Sequence, residues 1–232
     1  MKTFAVLVAL ACAASAQASA VAQLRQRLAE LRGTTAVAGK LEIVQEETRS
    51  KKQFARRGSA EFECDPAGLR MSLSAHDLSG AAGPNDRDGV ARIDPRELWG
   101  RLNAAPSVLH ELRKATVIGE QASTWKDRPA TRLEVSVEPG PLEDAPRMLK
   151  AKIDIRRIFW VASDGTPLGS ETRVTFSARF LVISATGQEK GSEDYEVIGD
   201  RLVITREVEE STSSAMGEKG RNTTTTTISL RK

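Results

Sequence analysis

Residues 158–171 read IFWVASDGTPLGSE, in which an apolar stretch leads to an Asp-Gly pair and the residues after it end in a charged glutamate. Asp-Gly between two runs of alternating apolar and polar residues is a strong signal for the tight turn of a β-hairpin. The segment LKAKIDIRRIFWVAS before the turn alternates over a long span, and so does TRVTFSARFLVISA after it. The sequence therefore predicts two long antiparallel strands joined at Asp164 and Gly165.

The same alternation recurs along most of the remaining chain. It predicts strands in TAVAGKLEIVQEETRS, QFARRGSAEFEC, GLRMSLS, TVIGEQASTWKDRPATRLEVSVE, DYEVIGDRLVITREVEE and RNTTTTTISLRK. Strands with one apolar and one polar face are typical of antiparallel sheets, since parallel sheets are usually buried on both sides. The pattern gives about nine to eleven strands.

Helical spacing replaces the alternation in two places. VAQLRQRLAELR, residues 21–32, collects its apolar residues on one side and ends at Gly33, a residue suited to a helix end. DPRELWGRLNAAPSVLHELR begins with Asp94 as a cap and Pro95 in the first turn, and Pro106 is expected to break it. Two short helices beside many strands predict an α+β domain.

The first twenty residues, MKTFAVLVALACAASAQASA, carry one charge, a short apolar run and a small-residue site that ends at Ala20. This pattern predicts a secretory signal peptide over residues 1–20, cut before Val21, and a single domain over residues 21–232. The exported domain is then periplasmic, and either soluble or in peripheral contact with the membrane. Lipid attachment at Cys12 remains the alternative to simple cleavage.

Residues that carry chemistry are sparse. Cys64 is the one cysteine left after signal removal, which excludes an internal disulfide, and His76 and His110 lie in unrelated contexts. No nucleophile elbow, phosphate-binding loop or dinucleotide fingerprint occurs, and the net charge of +3 is too small to suggest nucleic acid. We therefore predict no catalytic residue, no metal site, no cofactor and no enzymatic activity.

The order of elements resembles the LolA/LolB-like superfamily of periplasmic lipoprotein carriers and related lipid-binding envelope proteins. The resemblance covers most of the mature chain and includes the LRQRLAEL helix and the hairpin residues Trp160, Asp164, Gly165, Pro167 and Leu168. It implies a curved antiparallel sheet, an unclosed β-barrel, whose concave face is covered by short helices. It also implies a cavity for acyl chains between the sheet and the helices.

Two functions remain open. The first is an exported carrier or chaperone that binds lipids or lipoprotein acyl chains without catalysis; the second is an envelope sensor or scaffold of the same fold that acts through a protein partner. For the first, alternation selects the residues expected to line the cavity: Leu41, Ile43, Leu98, Trp99, Leu133, Val135, Ile153, Ile155, Phe159, Phe176 and Phe180. The choice between a cavity and a filled core stays open, since alternating strands require only a core.

One predicted hairpin is strongly basic. Its cationic residues are Arg49, Lys51, Lys52, Arg56 and Arg57. They could dock the protein on anionic headgroups or on an acidic partner, because each basic side chain near such a surface contributes about 1 kcal/mol. The alternative is that these charges protect a sheet edge from aggregation.

Overall fold

The computed structural model describes residues 19–49, 52–73, 93–139, 150–180, 183–215 and 218–231. Most of the predicted signal peptide, with Cys12, lies outside these residues, as do Lys51 and His76. The first helix begins at Ala20, so the predicted cut before Val21 falls at its first peptide bond.

The described chain forms three helices and one ten-stranded sheet. The helices are α1 (Ala20–Glu30), α2 (Pro95–Leu102) and α3 (Ala104–Lys114). The strands are β1 (Val37–Arg49), β2 (Lys52–Asp65), β3 (Gly68–Leu73), β4 (Ala115–Trp125), β5 (Arg128–Val137), β6 (Lys150–Val161), β7 (Pro167–Phe180), β8 (Ile183–Ile198), β9 (Arg201–Ala215) and β10 (Glu218–Leu230). None of the three helices is long and apolar enough to cross a membrane.

The strand order is β3-β2-β1-β10-β9-β8-β7-β6-β5-β4, and every neighbouring pair is antiparallel. The last strand of the chain therefore pairs with the first, while β3 and β4 remain as open edges. The predicted α+β class is confirmed, as are the unclosed, curved antiparallel sheet and its strand number.

The turn between β6 and β7 shows why the Asp-Gly pair is needed. Gly165 has a φ of 82°, a left-handed conformation that glycine adopts without cost. A Cβ at this position would also overlap the backbone carbonyl of Gln23, because α1 crosses the turn there. The Asp164 carboxylate accepts hydrogen bonds from the backbone N–H and the hydroxyl of Thr166, both at 3.0 Å.

The predicted helical insert is two helices, with the break in a different place from the one expected. The chain turns at Asn103, and Pro106 is the third residue of α3 rather than the breaking point. Proline is accommodated in a first helical turn because the N–H that it lacks would have no partner there. Asp94 caps α2 as predicted, accepting the N–H of Arg96 at 2.8 Å.

Cross-strand pairing sorts one face of the sheet into rows. We call this the helix-side face, since the helices pack on it. The first row runs from β5 to β1 through Leu133, Phe159, Ser170, Glu193, Glu207, Thr226 and Ile43. The second row is Val135, Arg157, Thr172, Gly191, Glu209, Thr224 and Gln45.

Two further rows continue away from the helices. The third row is Val137, Ile155, Val174, Glu189, Ser211, Asn222 and Glu47. The fourth is Ile153, Phe176, Gly187, Ser213, Gly220 and Arg49. Apolar residues of these two rows lie on β5, β6 and β7, and polar residues predominate from β8 to β1.

Two apolar cores lie between the helices and the sheet. The first joins α1 and α3 to β5 and β6 around Phe159, and the second joins α2 to β1 and β2 around Phe62. The tip of the β8–β9 hairpin lies between them, since Leu202 belongs to the first core and Val203 to the second. Both faces of β9 are therefore buried near the tip, which ties the two halves of the molecule together.

Candidate functional site

The predicted lining residues fall into two groups. Most of them are no more than 6% exposed and are packed into the two cores: Leu41, Ile43, Leu98, Leu133, Val135 and Phe159. Leu98 belongs to α2, and the other five share a core with helix residues, so the part of the helix-side face that they occupy is filled. We call this part the covered half.

The second group lies in the third and fourth rows. Ile153 and Ile155 are half-buried, and Phe176 is 38% exposed. Together with the half-buried Val137 and Val174 they form a continuous surface across β5, β6 and β7, which we call the apolar strip.

A glycine supports the far side of the strip. The ring of Phe176 lies over Gly187 of β8, where any Cβ would overlap the ring atoms. Glycine at this position therefore lets the ring lie flat along the sheet, which extends the apolar surface toward β8.

The remaining predicted lining residues lie elsewhere. Trp99 is 40% exposed, because α2 uses Leu98 and Leu102 to pack on the sheet and turns Trp99 away from them. Phe180 closes β7, and its side chain lies outside the described set.

Carboxylates border the apolar strip on β8 and β9. Glu189 is paired directly with Val174 of the strip, and Glu209 follows diagonally across Gly191. We call Glu189 and Glu209 the carboxylate pair. Although Glu209 is exposed as a residue, loss of water around its carboxyl raises its pKa to about 7, with repulsion from Glu207 and Glu189 adding to the effect and Arg101 opposing it.

The neighbouring acid is neutralised by α2. Arg101 donates from Nε to Glu207 at 2.6 Å and from Nη1 to Glu97 at 3.3 Å. Neither member of the carboxylate pair has such a cationic partner within the described ranges. The negative charge beside the strip is therefore concentrated on Glu189 and Glu209.

A buried arginine separates the covered half from the strip. Arg157, in the second row, donates to Glu111 of α3 and to Glu193 of β8, and reaches Ser170 at 3.1 Å and Tyr195 at 2.9 Å. We call these five residues the arginine cluster. Its guanidinium also lies over the Phe159 ring, 4.9 Å from the centroid.

The protonation of the arginine cluster follows from burial. Desolvation raises the pKa of Tyr195, against the opposing effect of Arg157, so its phenol stays neutral and donates to Glu193. Ser170 donates to the same carboxylate at 2.9 Å. The cluster is therefore an ion-pair network that fixes α3 on β6, β7 and β8, and within the described ranges only the buried Nε of Arg157 lacks a hydrogen-bond partner in it.

Sequence reasoning missed Arg157, although a signal was present. The sequence analysis places Ile153, Ile155 and Phe159 on one inward face, and strict alternation puts residue 157 on that face as well. An arginine at an inward position requires buried carboxylate partners, which the sequence does not locate.

A second buried arginine holds the β8–β9 tip. Arg201 donates to the backbone carbonyls of Thr35 at 2.8 Å and Leu102 at 3.3 Å, to the side chain of Asn103, and to the sulfur of Cys64 at 3.4 Å. Burial raises the pKa of the Cys64 thiol, which is 1% exposed. This thiol is thus part of the packing rather than of an accessible surface.

Asp200, next to this arginine, completes the attachment. Its carboxylate accepts the backbone N–H groups and hydroxyls of Thr34 and Thr35 at 2.6–3.1 Å. These hydrogen bonds, from Thr34 first and Thr35 second, lower the pKa of Asp200. We call Asp200, Thr34 and Thr35 the tip lock, because they join the β8–β9 tip to the segment between α1 and β1.

The basic residues predicted to dock the protein lie at and near the β1–β2 hairpin. Arg56 is half-buried on the helix-side face opposite Gln45, and Arg57 is exposed on the other face. The side chains of Arg49 and Lys52 lie outside the described set. Arg56, Phe54 and Glu47 line a shallow pocket of about 390 Å³ together with Ser211 and Asn222. Docking through these residues stays a prediction.

Within the described ranges, no group of three or more His, Cys, Asp or Glu residues is arranged to hold a metal ion. The close pair of exposed carboxylates on β2, Glu61 and Glu63, faces Arg231 at 2.6 Å and Arg70 at 3.4 Å respectively. These two carboxylates are thus engaged in surface ion pairs, as expected for a solvated strand face.

Comparison with known proteins yields likeness of fold only. No family model matches the chain, and no curated protein matches it. Among solved structures it is similar to a DUF1329 family protein from Desulfovibrio piger (13% identity, 91% of each chain, TM-score 0.34). It is also similar to a LolA superfamily protein from Nitrosomonas europaea (11% identity, 92% of this chain and 94% of that chain, TM-score 0.28).

A third solved structure is MucB in complex with MucA(peri), with 9% identity, 91% of this chain and 94% of that chain covered, and a TM-score of 0.15. Likenesses with such TM-scores do not extend to ligand or activity.

Proposed function

We propose that the protein is an exported, non-enzymatic carrier that binds lipid or lipoprotein acyl chains on the apolar strip, in the periplasm. One observation carries the proposal: the strip is a contiguous apolar surface on the face that the helices use for the cores. The cores lie on the rows beyond it and reach only its margin, where Val137 packs against the first core. A carrier needs apolar surface that is accessible in the free protein and hidden in the complex.

The strip matches an extended acyl chain in shape and chemistry. It crosses three strands that are about 4.8 Å apart, so a chain lying over it meets several apolar side chains in sequence. Each buried methylene contributes about 0.8 kcal/mol, so a short contact suffices for reversible binding. The arginine cluster holds α3 in place and therefore fixes the boundary between the core and the strip.

Native mass spectrometry of the mature protein, purified from its own envelope, tests the proposal. A stoichiometric lipid or acylated peptide, identified after organic extraction, is the expected result. A mass of the protein without ligand that is unchanged by incubation with lipids and lipopeptides would contradict the proposed carrier function.

A matched pair of variants locates the site. Phe176→Asp places a charge in the strip, and Thr175→Asp places the same charge on the opposite face of the same strand. Both positions are exposed, so both variants are expected to fold. Loss of bound lipid from the first variant alone supports the strip as the site.

The filled cores favour a second candidate, the envelope sensor or scaffold. Most of the residues expected to line a cavity are packed against helices, which suits a rigid body with protein contacts. A clean apo mass together with retention of a specific envelope protein, lost on changing Arg56 and Arg57 to Glu, would favour this candidate.

A further inference from the structure

We propose that the cargo is a cationic amphiphile, whose apolar chain lies on the apolar strip and whose positively charged group lies between Glu189 and Glu209. This inference rests on the proposed function, which it deepens by naming the charge of the cargo. It starts from the apolar strip, of which only Val137 packs against a core within the described ranges, and from the charge that borders it. The two features share one face of the sheet and adjoin directly, because Glu189 pairs with Val174.

The space between the two carboxylates is open at the level of the sheet. Gly191 lies directly opposite Glu209 and two residues along β8 from Glu189. A Cβ built on it would meet only the Cβ of Thr172, at an ordinary contact distance of 3.7 Å. A glycine here leaves room above the backbone for a group of the size of an ammonium. The strands β7 and β8 are about 4.8 Å apart, so such a group is one strand away from the strip.

Among the described residues, no cation forms an ion pair with Glu189 or Glu209. Arg101 pairs with Glu207, and Arg157 pairs with Glu111 and Glu193, so the nearby arginines are engaged. The groups that continue the same rows on β10 and β1 are the neutral Thr224, Asn222 and Gln45, followed by Glu47. The next cation in these rows is Arg56 of β2, three strands away from Glu209. A cation beside the strip is therefore favoured, and an anionic headgroup is repelled.

The pKa of Glu209, raised to about 7, is consistent with this imbalance. Loss of water around the carboxyl disfavours its ionised form most, repulsion from Glu207 and Glu189 adds to this, and a bound cation would oppose the repulsion. Binding of a cation is therefore expected to weaken as the pH falls below about 7, because protonation removes one of the two charges. Glu97 and Arg101 from α2 are the other charged groups that act on this carboxyl.

The test compares three amphiphiles with one chain and different headgroups. Tetradecyltrimethylammonium, tetradecylphosphocholine and tetradecyl sulfate are titrated into the mature protein at pH 8 and low salt, below their micelle concentrations, by calorimetry. The cationic probe is expected to bind about tenfold more tightly than the zwitterion. The anionic probe is expected to bind most weakly, and salt should reduce the differences.

Variants tie the preference to the carboxylate pair. Changing Glu189 and Glu209 together to Gln should abolish the cationic preference and leave binding of the zwitterion in place. Gly191→Lys should do the same by placing an ammonium of the protein between them. Glu196→Gln, on the other face of β8, is the control and should change neither affinity.

The outcomes separate this inference from the proposed function. Equal affinity for all three probes would be consistent with the carrier function but would contradict a cationic cargo. A cationic preference that persists without the two carboxylates would contradict the assignment of the charged group to them. If none of the three probes binds, the proposed carrier function is contradicted as well. Tetramethylammonium, which lacks the chain, should not compete; if it binds as tightly, the strip takes no part and the inference is wrong.

Discussion

The covered half and the apolar strip lie on the same strands of the same face, yet they differ in what each apolar side chain touches. In the covered half, Phe159 and Leu133 are fully buried by α1 and α3. Four residues further from the β6–β7 turn, Ile155 is half-buried and its row neighbours are Val137 and Val174. The alternation of the sequence is the same in both places, so alternation defines the face but not what covers it.

The difference is also one of charge. The partly buried carboxylates near the covered half contact an arginine, since Glu111 and Glu193 share Arg157. Beside the strip, Glu189 and Glu209 have no described cationic partner. The half that stabilises the fold thus holds its carboxylates against an arginine, and the half that we assign to cargo has carboxylates and apolar surface side by side.

The largest expected contrast comes from the same substitution in the two halves. Phe159→Ala should lower the free energy of unfolding by about 3–5 kcal/mol, because the cavity lies in a packed core. Phe176→Ala should lower it by about 1 kcal/mol or less, since the ring is already partly exposed. Chemical denaturation measures both values. Similar losses in the two variants would mean that the strip is a second core.

The arginine cluster gives the next largest effect. Glu111→Gln removes one of the two carboxylates that balance the buried Arg157, and we expect a loss of about 1–3 kcal/mol. Glu171→Gln changes an exposed carboxylate on β7 and should have little effect. Equal midpoints of unfolding for both variants would show that α3 is held on the sheet by its apolar contacts alone.

How much the sequence predicts depends on whether a feature is local. The strands, the hairpin turn at Asp164 and Gly165, and the cap at Asp94 follow from residues close together in the chain, and the structure confirms them. The helix break was expected at Pro106, but this residue lies in the first turn of α3. Proline breaks a helix only in its interior, and the sequence alone does not show in which turn Pro106 lies.

Features that need distant partners could not be predicted. The arginine cluster joins β6 to residues of α3, β7 and β8, and the tip lock joins Asp200 to residues more than 160 positions away. The division of the lining residues between core and strip depends on how far the helices reach along the strands. Periodicity carries no information about that length.

The tip lock should give stability a pH dependence. The folded-state pKa of Asp200 is lowered, so its contribution is fully present above the ordinary value of 3.8 and is lost as the pH falls below it. The difference in melting temperature between the protein and Asp200→Asn should therefore be constant from pH 7 to about 5 and shrink toward pH 3. A difference in melting temperature that does not change with pH would show that Asp200→Asn lowers stability through altered geometry and not through the lost charge.

The smallest effect is expected from Glu209, with the opposite sign. Its pKa is raised from 4.5 to about 7 in the folded protein, so the ionised carboxylate opposes folding. The penalty is absent below about pH 4.5, grows between pH 4.5 and 7, and is fully present above pH 7. Glu209→Gln should therefore raise the melting temperature slightly at pH 8 and leave it unchanged at pH 4.5, whereas Glu196→Gln should do neither. Adding tetradecyltrimethylammonium at pH 8 should narrow the gap between the protein and Glu209→Gln, because a cation beside Glu209 relieves the repulsion that only the unmodified carboxylate suffers.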